Sequence, residues 1–163
     1  MENYKIEDKW NLWYHSLTND KWTKETYKKI IDINNLLDYY FLRKNFERQH
    51  LQNGMFFIMR NNIFPTWEDP DNRLGGCVSF KVYSKDIINA WNNLLLNLIT
   101  ENLTIDINDY DEINGISISP KKEFNIIKIW LKNNNENYKN LLNEFKPIFL
   151  LNESLYKKHE LEY

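Results

Sequence analysis

Gly115-Ile116-Ser117-Ile118-Ser119-Pro120-Lys121-Lys122-Glu123-Phe124-Asn125-Ile126-Ile127-Lys128-Ile129-Trp130-Leu131 is the stretch that decides the fold. Gly115–Ser119 alternates apolar and small polar residues with the period of a strand that buries one face. Pro120-Lys121-Lys122-Glu123 is a polar, basic turn. Phe124–Leu131 is rich in β-branched and aromatic residues and reads as a second strand, so the two make an antiparallel hairpin.

Working outward, the same logic places more strands and interleaves them with helices. Gly75-Gly76 opens a strand at Cys77–Tyr83, and Gly54 precedes a strand-length apolar run at Met55–Arg60. Tyr27–Ile33 reads as a short strand and Trp10–His15 as an aromatic one, separated by the polar turn Ser16–Lys21. Asn34-Asn35 can cap a helix from Leu36 to about Phe46. Ser84 can cap a second from Asp86 to about Glu101, with Ile87, Ile88, Trp91, Leu94, Leu95 and Leu98 as its buried stripe. A third is expected over Asn134–Lys146, facing Tyr138, Leu141, Leu142 and Phe145 inward, with a strand at Ile148–Leu151 behind Pro147. Leu103–Glu112 is an acidic loop. Hairpin strands with three interspersed helices argue an α+β domain: a mainly antiparallel sheet, helices on one face, the other face free to carry a site.

The chain has 163 residues, of which 42% are hydrophobic, enough for one domain, 1–163, with one core. A formal net charge of -2 excludes bulk steering onto nucleic acid, so any RNA contact must be local. The single cysteine, Cys77, rules out an intrachain disulfide and a cysteine-based zinc site. His15, His50 and His159 are scattered, no Gly-rich phosphate loop ends in Lys-Ser/Thr, and no catalytic constellation stands out. Asp106–Asp111 lacks the glycine and glutamate of a calcium loop. No cofactor is expected. Met1–Trp10 is too polar for a signal peptide, and Leu94–Ile99 is too short to cross a bilayer, so the expectation is a monomer of the cytoplasm without membrane contact. Heavy use of Asn, Ile, Lys and Tyr reflects an A+T-rich genome, viral or parasitic. The unusual feature is 15% aromatic content with six tryptophans.

Trp67-Glu68 sits in a loop held by Pro65 and Pro70. Trp67 could be a core plug and Glu68 a turn residue. The pair is also what a cationic purine requires. Methylation at N7 makes guanine a cation, which a tryptophan face attracts by about 0.5–2 kcal/mol. The adjacent N1–H and N2–H₂ of guanine can both donate to one carboxylate, at roughly 1.5–3 kcal/mol each. Trp22, on an early loop, is the candidate for a second stacking face.

The order of these motifs resembles the eukaryotic translation initiation factor 4E family. Trp10 and Trp13 come first, then Trp22, then Pro65-Thr66-Trp67-Glu68-Asp69-Pro70-Asp71-Asn72-Arg73-Leu74-Gly75-Gly76. Trp91 with Leu94-Leu95-Leu96 follows, then Gly115 and Trp130. The correspondence runs from about residue 4 to residue 151. It implies a curved antiparallel sheet with the mRNA cap in the concave face and three helices on the convex one. It implies that Trp22 and Trp67 sandwich the 7-methylguanine base, Glu68 reads its Watson–Crick edge and Trp130 packs on the N7-methyl. Lys121 matches a basic residue that takes the cap phosphates, with Lys122, Lys128 and Lys157 as further candidates. Leu36, Tyr40, Asn93 and Leu96 fall where the family docks a scaffold of the initiation factor 4G type. Trp10, Trp13 and Trp91 are implied to be structural.

Three departures from the family pattern stand out. Cys77 replaces an arginine that supports the phosphate site, Ile126 replaces a lysine, and Tyr40 and Asn93 replace the tryptophan and the acid that anchor scaffolds. Capped mRNA, and a scaffold or a dedicated substitute for it, are the expected partners. A 4E-like decoy that engages scaffold or repressor proteins and binds caps weakly is the alternative. A decapping hydrolase would need clustered carboxylates for metal ions, and none occur.

Overall fold

A computed structural model describes residues 4–159. Seven strands form one sheet: β1 (Lys5–His15), β2 (Tyr27–Asn35), β3 (Met55–Arg60), β4 (Gly76–Tyr83), β5 (Ile113–Pro120), β6 (Phe124–Leu131) and β7 (Leu155–Lys158). Their order is β2-β1-β3-β5-β6-β4-β7, and every neighbouring pair is antiparallel. The hairpin read from Gly115–Leu131 is in place, with Ile116 opposite Ile129 and Ile118 opposite Ile127. Three α-helices, α1 (Leu36–Asn45), α2 (Arg48–Gln52) and α3 (Ile87–Ile99), complete the fold.

Strand alternation divides the sheet into two different faces. Trp10, Leu12, Phe56, Ile58, Ile116, Ile118, Val78, Phe80, Ile127 and Ile129 point to one side. There they meet Tyr39 and Leu42 of α1, Leu51 of α2, and Trp91, Leu94, Leu95 and Leu98 of α3 in the main core. The residues between them point the other way. Trp13, Phe57, Met59, Cys77 and Trp130 gather there with Tyr27, Ile63 and Phe64 into a second, smaller cluster to which none of the three helices contributes.

Three local expectations change. No α-helix forms over 134–146: a short 3-10 turn spans Tyr138–Asn140 instead. The reason is asparagine. Asn135 Oδ1 accepts from the Asn137 backbone N–H at 2.9 Å, and Asn143 donates across to the Asn102 and Thr104 carbonyls at 2.8 and 2.9 Å. Such side-chain bonds offer the backbone an alternative to the helical ladder. Tyr138, Leu141 and Leu142 are buried all the same. The third helix is α2, which starts from a capping box between Glu47 and His50. Ile148–Leu151 is not a strand: Phe149 makes only an isolated bridge to Phe145. The last strand is the polar Leu155–Lys158, an edge strand on Gly76–Ser79 that has no need of an apolar sequence. Ser84 does not cap α3, whose N-cap is Asp86 without a side-chain bond. Asn35, by contrast, caps α1 as expected, accepting from the Asp38 N–H at 3.0 Å.

Candidate functional site

The open face carries two adjoining clefts that share Trp67 and Trp130. The first, about 220 Å³, is lined by Trp22, Tyr27, Met55, Phe57, Pro65, Thr66, Trp67, Glu68 and Trp130. Its walls are aromatic, and Glu68 is the one formally charged residue among them. The second, about 320 Å³, is lined by Cys77, Ser79, Lys128, Lys157, Lys158 and His159 besides the two shared tryptophans. Among the described residues it is lined by three ammonium groups and no carboxylate. Side by side, the clefts offer a flat surface with a negative charge and a basic surface next to it.

The loop that presents Trp67 and Glu68 is tied down by its own polar residues. The Asp69 carboxylate accepts from the backbone N–H of Phe64 at 3.1 Å and of Asp71 at 2.9 Å. Asn72 is fully buried and donates from Nδ2 to the carbonyls of Phe64 and Thr66 at 3.0 and 2.9 Å. Asn114, buried on β5, donates to Asn72 Oδ1 at 2.9 Å and to the Asp71 carbonyl at 2.8 Å, anchoring the loop to the sheet. Buried amides whose N–H groups are both bonded hold one geometry, because any other leaves those donors unpaired in an apolar setting. Gly75 completes the anchor, since a Cβ there would collide with the Leu131 carbonyl.

Around this loop the side chains are placed by strands. Trp130 of β6 is buried and donates from Nε1 to Ser117 Oγ of β5 at 3.0 Å. Trp22 is half exposed, in the segment between β1 and β2, and its ring lies parallel to that of His15 at 3.9 Å. Glu68 is exposed, yet its charge is felt inside the site. Burial pushes the Tyr27 hydroxyl up to about 12, and the Glu68 charge adds to that rise.

Cys77 and His159 face the second cleft as a pair. His159 Nδ1–H donates to the Asn72 carbonyl at 2.8 Å, which leaves Nε2 to accept from the Cys77 thiol at 3.1 Å. Burial pushes the thiol up to about 12 and holds the imidazole below the ordinary histidine range. Both groups are therefore neutral, and the thiol is a structural donor rather than a nucleophile.

Each residue singled out from the sequence has a definite place. Trp22, Trp67, Glu68 and Trp130 line one cleft together. Lys128 and Lys157 line the second. Lys121 and Lys122 sit exposed on the β5–β6 turn, outside the lining of both. Leu36, Tyr40, Asn93 and Leu96 lie on α1 and α3, far in the topology from the clefts, with Tyr40 and Asn93 exposed and the two leucines packed against the core. Tyr27, Phe57, Lys158 and His159 belong to the clefts and were not singled out. Phe57 shares the face of Trp13 because the two stand opposite each other in the β1–β3 register, which alternation within one strand does not reveal, and β7, which carries Lys158, has no apolar signal. Among the described residues no cluster suited to a metal ion occurs, and no helix is long and apolar enough to cross a membrane.

The family model for eukaryotic initiation factor 4E matches residues 5–163, so the chain belongs to the initiation factor 4E family, a family of translation factors rather than enzymes. It is similar to initiation factor 4E of Saccharomyces cerevisiae, 31% identical over 137 residues that cover 79% of this chain and 62% of the yeast protein. A homologue in Acanthamoeba polyphaga mimivirus is 38% identical over 64 residues, 39% of this chain and 24% of that protein. The chain thus spans less than two thirds of the length of the yeast relative it matches. Among solved structures, Ascaris suum eIF4E-3 with the m7G cap superposes with a TM-score of 0.71 at 18% identity, covering 82% of this chain and 76% of that one. A schistosome eIF4E complexed with m7GpppG and a 4E-binding protein gives 0.71 at 22% identity, over 82% and 74% of the chains. These likenesses establish the fold.

Proposed function

We propose that the protein binds the 7-methylguanosine cap of mRNA and acts in translation initiation in the cytoplasm. The observation that carries this reading is the adjacency of two clefts of opposite charge across Trp67 and Trp130. A capped end is a flat cation joined to a polyanion, and the two clefts complement its two halves. Trp22 and Trp67 stack on the two faces of the base, each face contributing about 0.5–2 kcal/mol. The Glu68 carboxylate accepts from N1–H and N2–H₂ of the guanine, and Trp130 packs against the N7-methyl. Lys128, Lys157 and Lys158 take the phosphates, with Lys121 and Lys122 further out along the bound chain. These terms sum to several kcal/mol before association costs, which makes a micromolar Kd, about -8 kcal/mol, attainable.

Cap-binding relatives have been solved with 4E-binding proteins. We infer the same kind of partner here, docking a helix on α1 and α3 through Tyr40, Leu36 and Leu96. Asn93 supplies an amide where a carboxylate would pair with the partner's arginine, so the native partner carries a different motif or binds more weakly. An aromatic cleft with a carboxylate on its wall argues against the decoy alternative, which has no use for it. Retention on 7-methyl-GTP resin, released by free 7-methyl-GTP and not by GTP, is the expected result. Equal release by GTP would show that the cleft does not read the methylated base.

A further inference from the structure

Trp22 is the cleft wall with the least support from its own backbone. It is 52% exposed and lies outside regular structure, in the segment between β1 and β2. An exposed side chain on such a segment samples several rotamers unless a neighbour holds it. The neighbour here is His15. The two rings are parallel within 7° at a centroid distance of 3.9 Å.

His15 is itself immobile. It is fully buried at the end of β1, in register with Tyr27 on β2 and Met55 on β3. Its ring has acceptors at both edges, Nδ1 lying 2.8 Å from the Ser16 carbonyl and Nε2 2.9 Å from the Lys21 carbonyl and 3.0 Å from Thr26 Oγ1; a neutral ring has one N–H and donates at one of these edges, which the tautomer selects. The Thr26 hydroxyl is fixed in turn, donating to the Thr23 carbonyl at 2.8 Å. Ser16, Lys21 and Thr26 bracket Trp22 in the chain. One ring therefore ties together the segment that carries the tryptophan and supplies the plane on which the tryptophan rests. His15 does not line the cleft.

We propose that His15 is a positioning residue for cap recognition: it sets the plane of Trp22 in the free protein, so that the face offered to the base exists before the ligand arrives. The inference rests on the cap-binding reading above. Its physical content is preorganisation. A side chain already ordered loses less freedom on binding, an effect of about two- to ten-fold in affinity for one large side chain.

The test is a double-mutant cycle on the Kd for 7-methyl-GTP, with thermal melts alongside. His15→Ala should weaken binding about two- to ten-fold in the wild-type background and by less than about two-fold in a Trp22→Ala background. A general structural role would cost the same in both. His15→Phe keeps the stack and loses the edge bonds, whereas His15→Gln can keep edge bonds and loses the stack. Phe should therefore bind more tightly than Gln, a comparison that stands even if the alanine variant unfolds. Equal losses in the two backgrounds, no loss in either, or Gln matching Phe would overturn the proposal. A wild-type protein that fails to prefer 7-methyl-GTP over GTP would remove the cap-binding reading, and this inference with it; that outcome is visible before any variant is made.

Discussion

The two faces of this sheet are built from the same strands and differ in what they keep from water. On the helix-covered face, most of the alternate residues are aliphatic or aromatic and almost wholly buried, from Trp10 and Leu12 through Ile127 and Ile129. On the open face, the alternate residues are a mixture: Trp13 and Phe57 beside Asn11, Ser117, Ser79 and Lys128. A face under helices can be apolar because nothing else is asked of it. A face that must admit and release a charged ligand needs polar groups held in place. The open face achieves that with buried amides, Asn72 and Asn114, which bond a loop to the sheet. Tryptophans accordingly mean different things on the two sides: Trp10 and Trp91 are core, whereas Trp22 and Trp67 are surfaces.

Substitution on each side should separate the two roles. Trp91→Ala empties a core position that is 2% exposed. It should cost about 3–5 kcal/mol of folding stability, read as a large fall in thermal midpoint, with cap affinity unchanged in whatever fraction remains folded. Trp67→Ala should do the reverse, abolishing binding while costing little stability. A Trp91→Ala protein that folds normally would break the distinction.

Next in size is Glu68→Ala. It removes the acceptor of two charge-assisted bonds, so affinity for 7-methyl-GTP should fall by about 2–4 kcal/mol. An exposed side chain contributes little to folding, and the thermal midpoint should hold. Glu68→Asp should lose less than Glu68→Ala. Unchanged affinity for 7-methyl-GTP in Glu68→Ala would show that Glu68 does not accept from the edge of the base.

The covered side has one functional prediction of its own. Asn93 is exposed on α3. Asn93→Glu restores a charge able to bond an arginine, which should tighten a conventional scaffold peptide by about ten-fold at most, roughly 1–1.4 kcal/mol. Nanomolar binding of that peptide by the unmodified protein would show that the amide is no handicap. Smaller still are the lysines. Lys128→Ala and Lys157→Ala should each weaken cap binding by about 0.5–1 kcal/mol and flatten its dependence on salt. Lys121→Ala, on the exposed turn, should change the slope less than either; a larger change would move the phosphate path toward the β5–β6 turn.

How far the sequence reached follows the same division. β3 and β6 were legible to the residue, because Met55–Arg60 and Phe124–Leu131 carry enough apolar and β-branched side chains to announce a strand. Helix α3 was legible from its stripe. The helix expected at 134–146 failed because apolar spacing at Tyr138, Leu141 and Leu142 was weighed and the asparagines between them were not; burial was right and backbone wrong. Strand β7 was invisible because an edge strand needs neither alternation nor hydrophobicity. For the site, Trp22, Trp67, Glu68 and Trp130 could be grouped because the order of motifs resembles a family, not because local sequence brings them together. His15 and His159 read as scattered residues without a role: a lone histidine in a sequence has no partner, and these two acquire theirs from strand register and from the approach of β7 to β4.

His159 gives the last and smallest expectation, a dependence of stability on pH. Its Nδ1–H is committed to the Asn72 carbonyl, and its Nε2 accepts from the Cys77 thiol. A proton on Nε2 would break the second bond, add charge in a mostly buried place and face the ammonium of Lys128. Burial is the main cause that holds the imidazole below its ordinary value of 6.5; the Lys128 charge works in the same direction, while the Asn72 bond and the Glu68 charge oppose it. The sign follows from which state takes the proton first. As pH falls through 6.5, the unfolded chain protonates His159 while the folded protein still resists. The unfolded state is stabilised over that window, and the protein loses stability until the folded-state value is passed; above 6.5 the residue makes no difference of this kind. Thermal midpoints of wild type and His159→Gln, followed from pH 8 to about pH 5, should therefore run parallel at the alkaline end and converge or cross on acidification, the wild type falling faster. Parallel curves throughout would mean that His159 accepts a proton in the folded protein as readily as in the unfolded chain, and that its contact with Cys77 is not the constraint its geometry describes.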